Sequence, residues 1–205
     1  MKKVVLAALF AVSSPVFAQG YVGIGIGQSN VDIESTPYTI SKEDSDTAFK
    51  VFGGAELNKN FAIEAGYVNF GEFGMTEAGT FIENTPSGTL IYDESLKQSV
   101  EGFAFYTAVV GKLPVTNAFE LFAKAGFALW DIDLRGQYNA DVYSYSTGAY
   151  LWSESYSVSI NESGVDPMFG VGVQFDAGNL LLRAEFERFN EIEVDVIGLS
   201  AAVKF

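Results

Sequence analysis

The chain has 205 residues and a formal net charge of −14, from 26 acidic and 12 basic residues. So acidic a chain is a poor partner for nucleic acid or other polyanions. It contains neither cysteine nor histidine, which excludes disulfides, thiolate metal sites and nucleophilic systems that depend on histidine.

The first eighteen residues have the pattern of a secretory signal peptide. Lys2 and Lys3 precede an apolar run over residues 4–12, and the small-residue pattern Val16-Phe17-Ala18 follows. The run is about half of the roughly 20 residues that a spanning helix requires, so a retained anchor is the alternative we set aside. We therefore predict cleavage before Gln19 and a single domain over residues 19–205. No later segment is apolar for long enough to form a spanning helix, so only a closed barrel could place this chain in a membrane.

Residues 20–28 form the first predicted strand, and a polar segment near residues 29–46 follows it. Residues 49–70 then read as a hairpin around Asn58-Lys59-Asn60, because apolar residues alternate with charge and glycine on both arms. The apolar face of this hairpin contains Phe49, Val51, Ile63 and Tyr67. A soluble sandwich with a wet outer face and a transmembrane barrel with a polar interior would both produce such alternation.

A second polar segment covers residues 71–98. The fourth strand, residues 99–113, alternates less clearly, and we predict that Ala104, Tyr106, Ala108 and Val110 form its lipid face. Strand five covers residues 121–130 and precedes the longest polar segment, residues 131–166. Its Tyr- and Ser-rich part predicts a hairpin that continues the flanking strands. Strands six, seven and eight follow over residues 168–175, 180–187 and 197–205, with a short loop at residues 190–195.

Eight strands with short turns at one end and longer loops at the other are typical of outer-membrane barrels. We therefore predict an all-β fold, a closed eight-stranded antiparallel up-and-down transmembrane β-barrel with extracellular long loops. Those loops contain most of the acidic residues but only Lys42, Lys97 and Arg135 as bases. Aromatic residues near strand ends predict interface belts, with Tyr21, Phe61, Phe119, Phe175 and Phe205 at the short-turn end.

Five charged strand residues share the glycine-bearing face and are predicted to point into the barrel. A Lys or Arg at the lipid midplane would cost about 2–4 kcal/mol, which rules out the reverse orientation. Such interior charges either pair structurally or form a gate whose ion pairs exchange partners, and the residues leave both interpretations open. The predicted interior cluster comprises Lys50, Glu64, Lys124, Arg183 and Glu185.

Four stretches of the chain resemble, in order, the eight-stranded membrane domain of OmpA-type outer-membrane proteins: FKVFGGAELNKNFAIEAGYVNFG, VVGKLPVTNAFELFAKAGFALWD, PMFGVGVQFDAGNLLLRAEFERF and VIGLSAAVKF. The resemblance implies that Glu64 and Arg183 meet inside the barrel and that Lys124 is an interior base. Where some relatives have an interior acid on strand six, this chain has Gln174. The resemblance does not extend to a peptidoglycan-binding domain, and it implies that terminal Phe205 is part of the signal read by the barrel assembly machinery.

These features predict a structural or surface-interaction barrel of a Gram-negative outer membrane, without catalytic activity, catalytic residues, metal sites or cofactors. A narrow or gated pore for small solutes or ions is the alternative. We expect a monomer, with outer-membrane lipids, lipopolysaccharide and the assembly machinery as partners. Any extracellular ligand of the acidic loops is not identified by the sequence.

Overall fold

The computed structural model describes residues 19–32 and 36–205, so the predicted signal peptide lies outside the described residues. Within them the chain is almost entirely β-strand. Its strands are β1 (Gly20–Val31), β2 (Thr39–Glu43), β3 (Ser45–Asn58), β4 (Phe61–Thr85), β5 (Gly88–Pro114), β6 (Phe119–Ser144), β7 (Tyr150–Asp176), β8 (Leu180–Phe189) and β9 (Val194–Lys204).

Eight of these strands form a closed ring. The order is β4-β3-β1-β9-β8-β7-β6-β5, every pairing is antiparallel, and a further pairing between β5 and β4 closes the circle. The short β2 pairs with β4 outside the ring. The predicted closed eight-stranded antiparallel barrel is therefore confirmed. No helix that could cross a membrane occurs over residues 19–32 and 36–205.

Short turns join the strands at one end because polar side chains hold the backbone there. In the turn between β3 and β4, the Asn58 Oδ1 atom accepts hydrogen bonds from the backbone N–H groups of Asn60 (2.9 Å) and Phe61 (3.0 Å). In the turn between β7 and β8, Asp176 accepts from the N–H of Gly178, whose φ of +84° favours glycine.

The two faces of the ring are chemically opposite. Ile24, Val51, Ile63 and Leu199 point outward and are exposed, and the other outward-facing apolar residues are exposed or partly exposed, as Tyr67 and Phe105 are. Residues of the opposite parity are buried inside the ring, where charged side chains lie among glycine and aromatic residues. The outward band is thus an apolar surface that no other described part of the chain covers, as a barrel in lipid requires.

Strand β5 corrects one prediction. Ala104, Tyr106, Ala108 and Val110 do not face outward; each is at most 4% exposed and lies inside the ring. The register explains this, since Ala108 lies directly opposite the interior residue Glu64. The sequence misled us because this strand is apolar on both faces.

Four strands continue beyond the ring. The segment 71–98, predicted as a loop, belongs to β4 and β5, which stay paired up to the turn before Gly88. The segment 131–166 likewise belongs to β6 and β7, as the predicted hairpin required. We call the part formed by residues 72–101 and 131–165 the distal sheet. Its inner face lies on the same side as the interior of the barrel, and its outer face lies on the same side as the apolar band.

Candidate functional site in the barrel interior

Glu64 on β4 is the centre of a buried hydrogen-bonded cluster. Its carboxylate accepts from the Arg183 guanidinium at 2.5 Å, from the Tyr21 hydroxyl at 3.0 Å and from the Tyr106 hydroxyl at 2.9 Å. The Lys124 ammonium lies 3.4 Å away. Glu64 is 2% exposed, so these donors replace the water that a carboxylate would otherwise need.

Lys124 and Lys50 connect Glu64 to a second acidic pair, Glu185 and Glu187, on β8. Lys124 donates to Glu185 at 2.7 Å and forms an ion pair with Glu187. Lys50 donates to Glu187 at 3.0 Å and also pairs with Glu185. Together with Arg183, the cluster contains three basic and three acidic side chains, so its formal charges cancel.

Arg183 is held by aromatic rings as well as by charge. Its guanidinium carbon lies 4.8 Å from the ring centre of Tyr21 and 5.2 Å from those of Phe52 and Phe122. Its Nε donates to Gln174 at 2.7 Å, and Gln174 in turn donates to Glu120 at 2.8 Å. Stacked rings favour a planar cation, so the barrel fixes this arginine in orientation as well as position.

Glycines make room for the rings and chains that contact Glu64. A Cβ at Gly54 would lie 2.3 Å from the Tyr21 ring, and one at Gly66 would lie 2.7 Å from the Tyr106 ring. A Cβ at Gly170 would lie 2.8 Å from Cε of Lys124. An eight-stranded barrel is barely wide enough for its own side chains, so small neighbours are needed beside large ones.

All five predicted interior residues lie in this cluster, but the sequence analysis did not predict their contacts with Tyr21, Tyr106, Gln174, Glu187 and Ser200. Tyr21 was predicted for an interface belt, but it is 2% exposed and lies inside. The sequence did contain a signal for the inward position of Tyr21, because it alternates in step with Gly23, Gly25 and Gly27. Likewise, Glu187 lies on the same face of its strand as Arg183 and Glu185. Tyr106 was missed through the reversed β5 assignment. The contact between Gln174 and Arg183 could not be read from parity alone.

Apolar residues fill the interior between the cluster and the distal sheet. Phe70 and Phe189 meet edge to face with ring centres 4.9 Å apart, and Val68 and Met168 are fully buried beside them. A cavity beside Lys50 has a volume of about 10 Å³, which is the space of a single water molecule. The interior is therefore packed like a protein core.

The chain end closes the ring at the seam between β1 and β9. The Gly20 N–H donates to the Phe205 carbonyl at 3.0 Å, and the Phe205 N–H donates to the Gly20 carbonyl at 2.9 Å. The Phe205 ring is 79% exposed at the short-turn end, next to the apolar band. The belt residues Phe61, Phe119 and Phe175 are also exposed at this end.

The outer face of the distal sheet is hydrophilic and grooved. A groove of about 510 Å³ is lined by Lys97, Arg135 and several serines. Arg135 pairs there with Glu101, and both side chains are largely exposed. The described residues contain no group of three or more acidic side chains that could hold a metal ion.

A model of the OmpA-like transmembrane domain matches residues 16–196 of the chain. No curated protein matches it. Among solved structures, this chain is similar to that of Ail, the attachment invasion locus protein of Yersinia pestis, in complex with the heparin analogue sucrose octasulfate. The identity is 17%, the match covers 92% of this chain and 99% of Ail, and the TM-score is 0.47.

Two further structures are similar over nearly their whole length. The N-terminal β-barrel domain of Pseudomonas aeruginosa OprF is 8% identical, with 92% of this chain and 99% of that domain covered and a TM-score of 0.48. Neisserial surface protein A is 12% identical, with coverages of 91% and 97% and a TM-score of 0.47.

Proposed function

This chain belongs to the OmpA-like transmembrane domain family of bacterial outer-membrane β-barrels, and on that premise we propose that it is a non-catalytic barrel whose closed interior anchors a surface sheet for contacts outside the cell. The observation that carries the proposal is the contrast between a filled interior and an open sheet. The interior cluster is neutral and internally hydrogen-bonded, and apolar residues pack between it and the distal sheet. The distal sheet exposes aromatic and acidic side chains instead.

The orientation of the barrel in the outer membrane is the first point to test. Because the chain contains no cysteine, an introduced cysteine is the only thiol of the protein that can be labelled. Ser146→Cys places a thiol at the exposed turn between β6 and β7, and Lys59→Cys places one at the turn between β3 and β4. In intact cells, a membrane-impermeant maleimide should label only the Ser146→Cys variant. Both variants should react after the outer membrane is permeabilised. Labelling of Lys59→Cys in intact cells would overturn the orientation.

A gated pore is the second candidate function. The observation that favours it is the position of Lys124, which contacts Glu64, Glu185 and Glu187 at once and so has alternative partners ready for exchange. Planar-bilayer recording of the refolded protein decides between the two. A closed anchor predicts no conductance for the wild type and a rise in the Arg183→Ala variant. Regular openings of the wild type would favour the gated pore. The absence of conductance in both the wild type and the variant would count against the gated pore.

The partners follow from the surfaces of the barrel. We propose that the outward apolar band contacts outer-membrane lipid and lipopolysaccharide and that the exposed ring of Phe205 contacts the assembly machinery. Phe205→Ala should slow assembly into vesicles containing the reconstituted machinery. Phe175→Ala, which removes another exposed ring at the same end, is the matched control. Equal rates for the two variants would rule out a specific role for Phe205.

A further inference from the structure

The inner face of the distal sheet lies open where β7 extends beyond its neighbour. β8 pairs with β7 only from Met168 onward, so the outer half of β7 has β6 as its one strand neighbour among the described residues. Large side chains are exposed there. The Trp152 side chain is 41% exposed and Tyr156 is 63% exposed, although both lie on the inner face of the sheet.

Two carboxylates flank a small residue on this face. Ala140 on β6 pairs with Glu94 on β5 and with Glu154 on β7, so the three residues form one cross-strand row. Directly opposed residues in a sheet lie about 5 Å apart, which places the two glutamates about 10 Å from each other, on either side of Ala140. A bound cation would lie above the side chains that cover Ala140. Ala140 is 2% exposed beneath the side chains that surround it.

Aromatic rings border this row above and below. In the row nearer the tip, Tyr92 and Trp152 flank Val142, and the Trp152 Nε1 atom donates to Glu154 at 3.3 Å. In the row nearer the barrel, Tyr138 and Tyr156 stack with ring centres 6.2 Å apart. Partial burial and the nearby carboxylates of Glu94 and Glu154 raise the pKa of Tyr138 to about 12. The hydroxyl therefore stays neutral, and the negative charge here belongs to the two glutamates.

The negative charges of Glu94 and Glu154 have no basic partner on this face among the described residues. Ammonium and guanidinium groups are attracted both to carboxylates and to the faces of tyrosine and tryptophan rings. The bases Lys97 and Arg135 point to the opposite, outer face of the sheet, where Arg135 is already paired with Glu101. A metal ion fits less well, since the described residues offer no cluster of three acidic ligands.

We propose that the inner face of the distal sheet binds a basic, extended segment of a partner protein, with a Lys or Arg side chain over Ala140, between Glu94 and Glu154 and against the Trp152 and Tyr156 rings. Charge complementarity selects this occupant, because the face presents two carboxylates and four aromatic side chains around a single small residue. The inference rests on the proposed function, because a partner protein can reach this face only if the distal sheet lies outside the cell. Binding itself is independent of that location and can be measured on purified protein.

The test uses the full chain refolded in zwitterionic micelles. The probe is a fluorescein-labelled ten-residue peptide of alternating Arg and Ser, and binding is followed by fluorescence anisotropy. The double variant Glu94→Gln/Glu154→Gln removes the two inner carboxylates. Its control, Asp93→Asn/Asp141→Asn, removes the charges of two directly paired residues on the outer face of β5 and β6. The inner variant should weaken binding about tenfold and the outer variant by less than about twofold.

A third variant separates the aromatic contribution from net charge. Trp152→Leu leaves every charge in place and should still weaken binding several-fold. Equal losses in the inner and outer double variants would mean non-specific attraction to an acidic sheet and would overturn the proposal, as would a wild type that does not bind. An unchanged Trp152→Leu variant would also overturn it. The maleimide labelling pattern is unaffected by these outcomes, so failure here is distinguishable from failure of the proposed function.

Discussion

The barrel interior and the distal sheet consist of the same long strands, yet their charged residues have opposite surroundings. Inside the ring, Glu64 has no exposed side-chain surface and contacts Arg183 and Lys124 directly. On the distal sheet, Glu101 and Arg135 also form an ion pair, but 42% and 54% of their side-chain surfaces are exposed. Enclosure therefore decides whether a glutamate is a structural element or part of a hydrated surface.

Removing one carboxylate from each region should give the largest contrast. Glu64→Gln leaves Arg183 with a buried, uncompensated charge, and we expect the free energy of unfolding to fall by about 3 kcal/mol. Glu101→Gln breaks an exposed pair and should lower it by less than about 1 kcal/mol. Urea unfolding in lipid vesicles, followed by tryptophan fluorescence, measures both. Similar losses for the two variants would contradict the contrast.

Adding a methyl group tests the packing of the two regions. Gly54→Ala would place a Cβ 2.3 Å from the Tyr21 ring, which must then move away from Glu64. We expect a loss of about 2 kcal/mol in the same unfolding experiment. Gly136→Ala on the distal sheet meets Val158 at 3.1 Å, where a small shift relieves the contact, so its loss should stay below about 1 kcal/mol. A larger loss at Gly136 would mean that the sheet is the more tightly packed region.

Removing single tyrosine hydroxyls sharpens the comparison further. Tyr106→Phe deletes a 2.9 Å hydrogen bond to the buried Glu64 and should lower the free energy of unfolding by about 1.5 kcal/mol. Tyr138→Phe deletes a hydroxyl at a partly exposed position of the distal sheet, and its effect should be within about 0.5 kcal/mol. If the two variants were equally stable, Tyr106 would not be an essential partner of Glu64.

Shortening the distal sheet should have the smallest effect on the barrel. Residues 141–153 can be replaced by the two-residue turn Asn-Gly, because Ala140 and Glu154 are directly paired across β6 and β7. The free energy of unfolding should change by less than about 1 kcal/mol, because every interior contact is retained. Trp130 remains as the fluorescent reporter in this variant. A shortened protein that fails to fold would show that the sheet is needed to form the barrel.

Strict alternation explains what the sequence could predict about the fold and the interior. The membrane-facing parts of the strands alternate between apolar and polar or small residues, so parity predicted the inward position of Lys50, Glu64, Lys124, Arg183 and Glu185. The closed barrel was predicted from this alternation together with the signal peptide, the lack of an apolar segment long enough for a spanning helix, and the short turns and long loops at opposite ends. Where alternation is weak, the prediction was wrong. Strand β5 is apolar on both faces, and its outward and inward residues were exchanged.

The distal sheet shows a second limit of the same signal. The segment 71–98 was predicted as a loop, although β4 and β5 are paired across it. In β7, by contrast, residues 152–160 alternate, and the hairpin was predicted there although both faces of the strand are exposed. Continuous backbone pairing extends these strands where side-chain burial does not mark them.

The sequence by itself determined the closed barrel, the identity of its apolar face and the five charged residues that point inward. The family resemblance implied the contact between Glu64 and Arg183, and the structure confirms it. Only the tertiary structure decided which other side chains meet. The contacts of Tyr21 and Tyr106 with Glu64, of Gln174 with Arg183 and of Glu187 with both lysines join strands that are distant along the chain. The physical reason is that parity fixes the direction of a side chain, whereas ring closure and register fix its height and its neighbours.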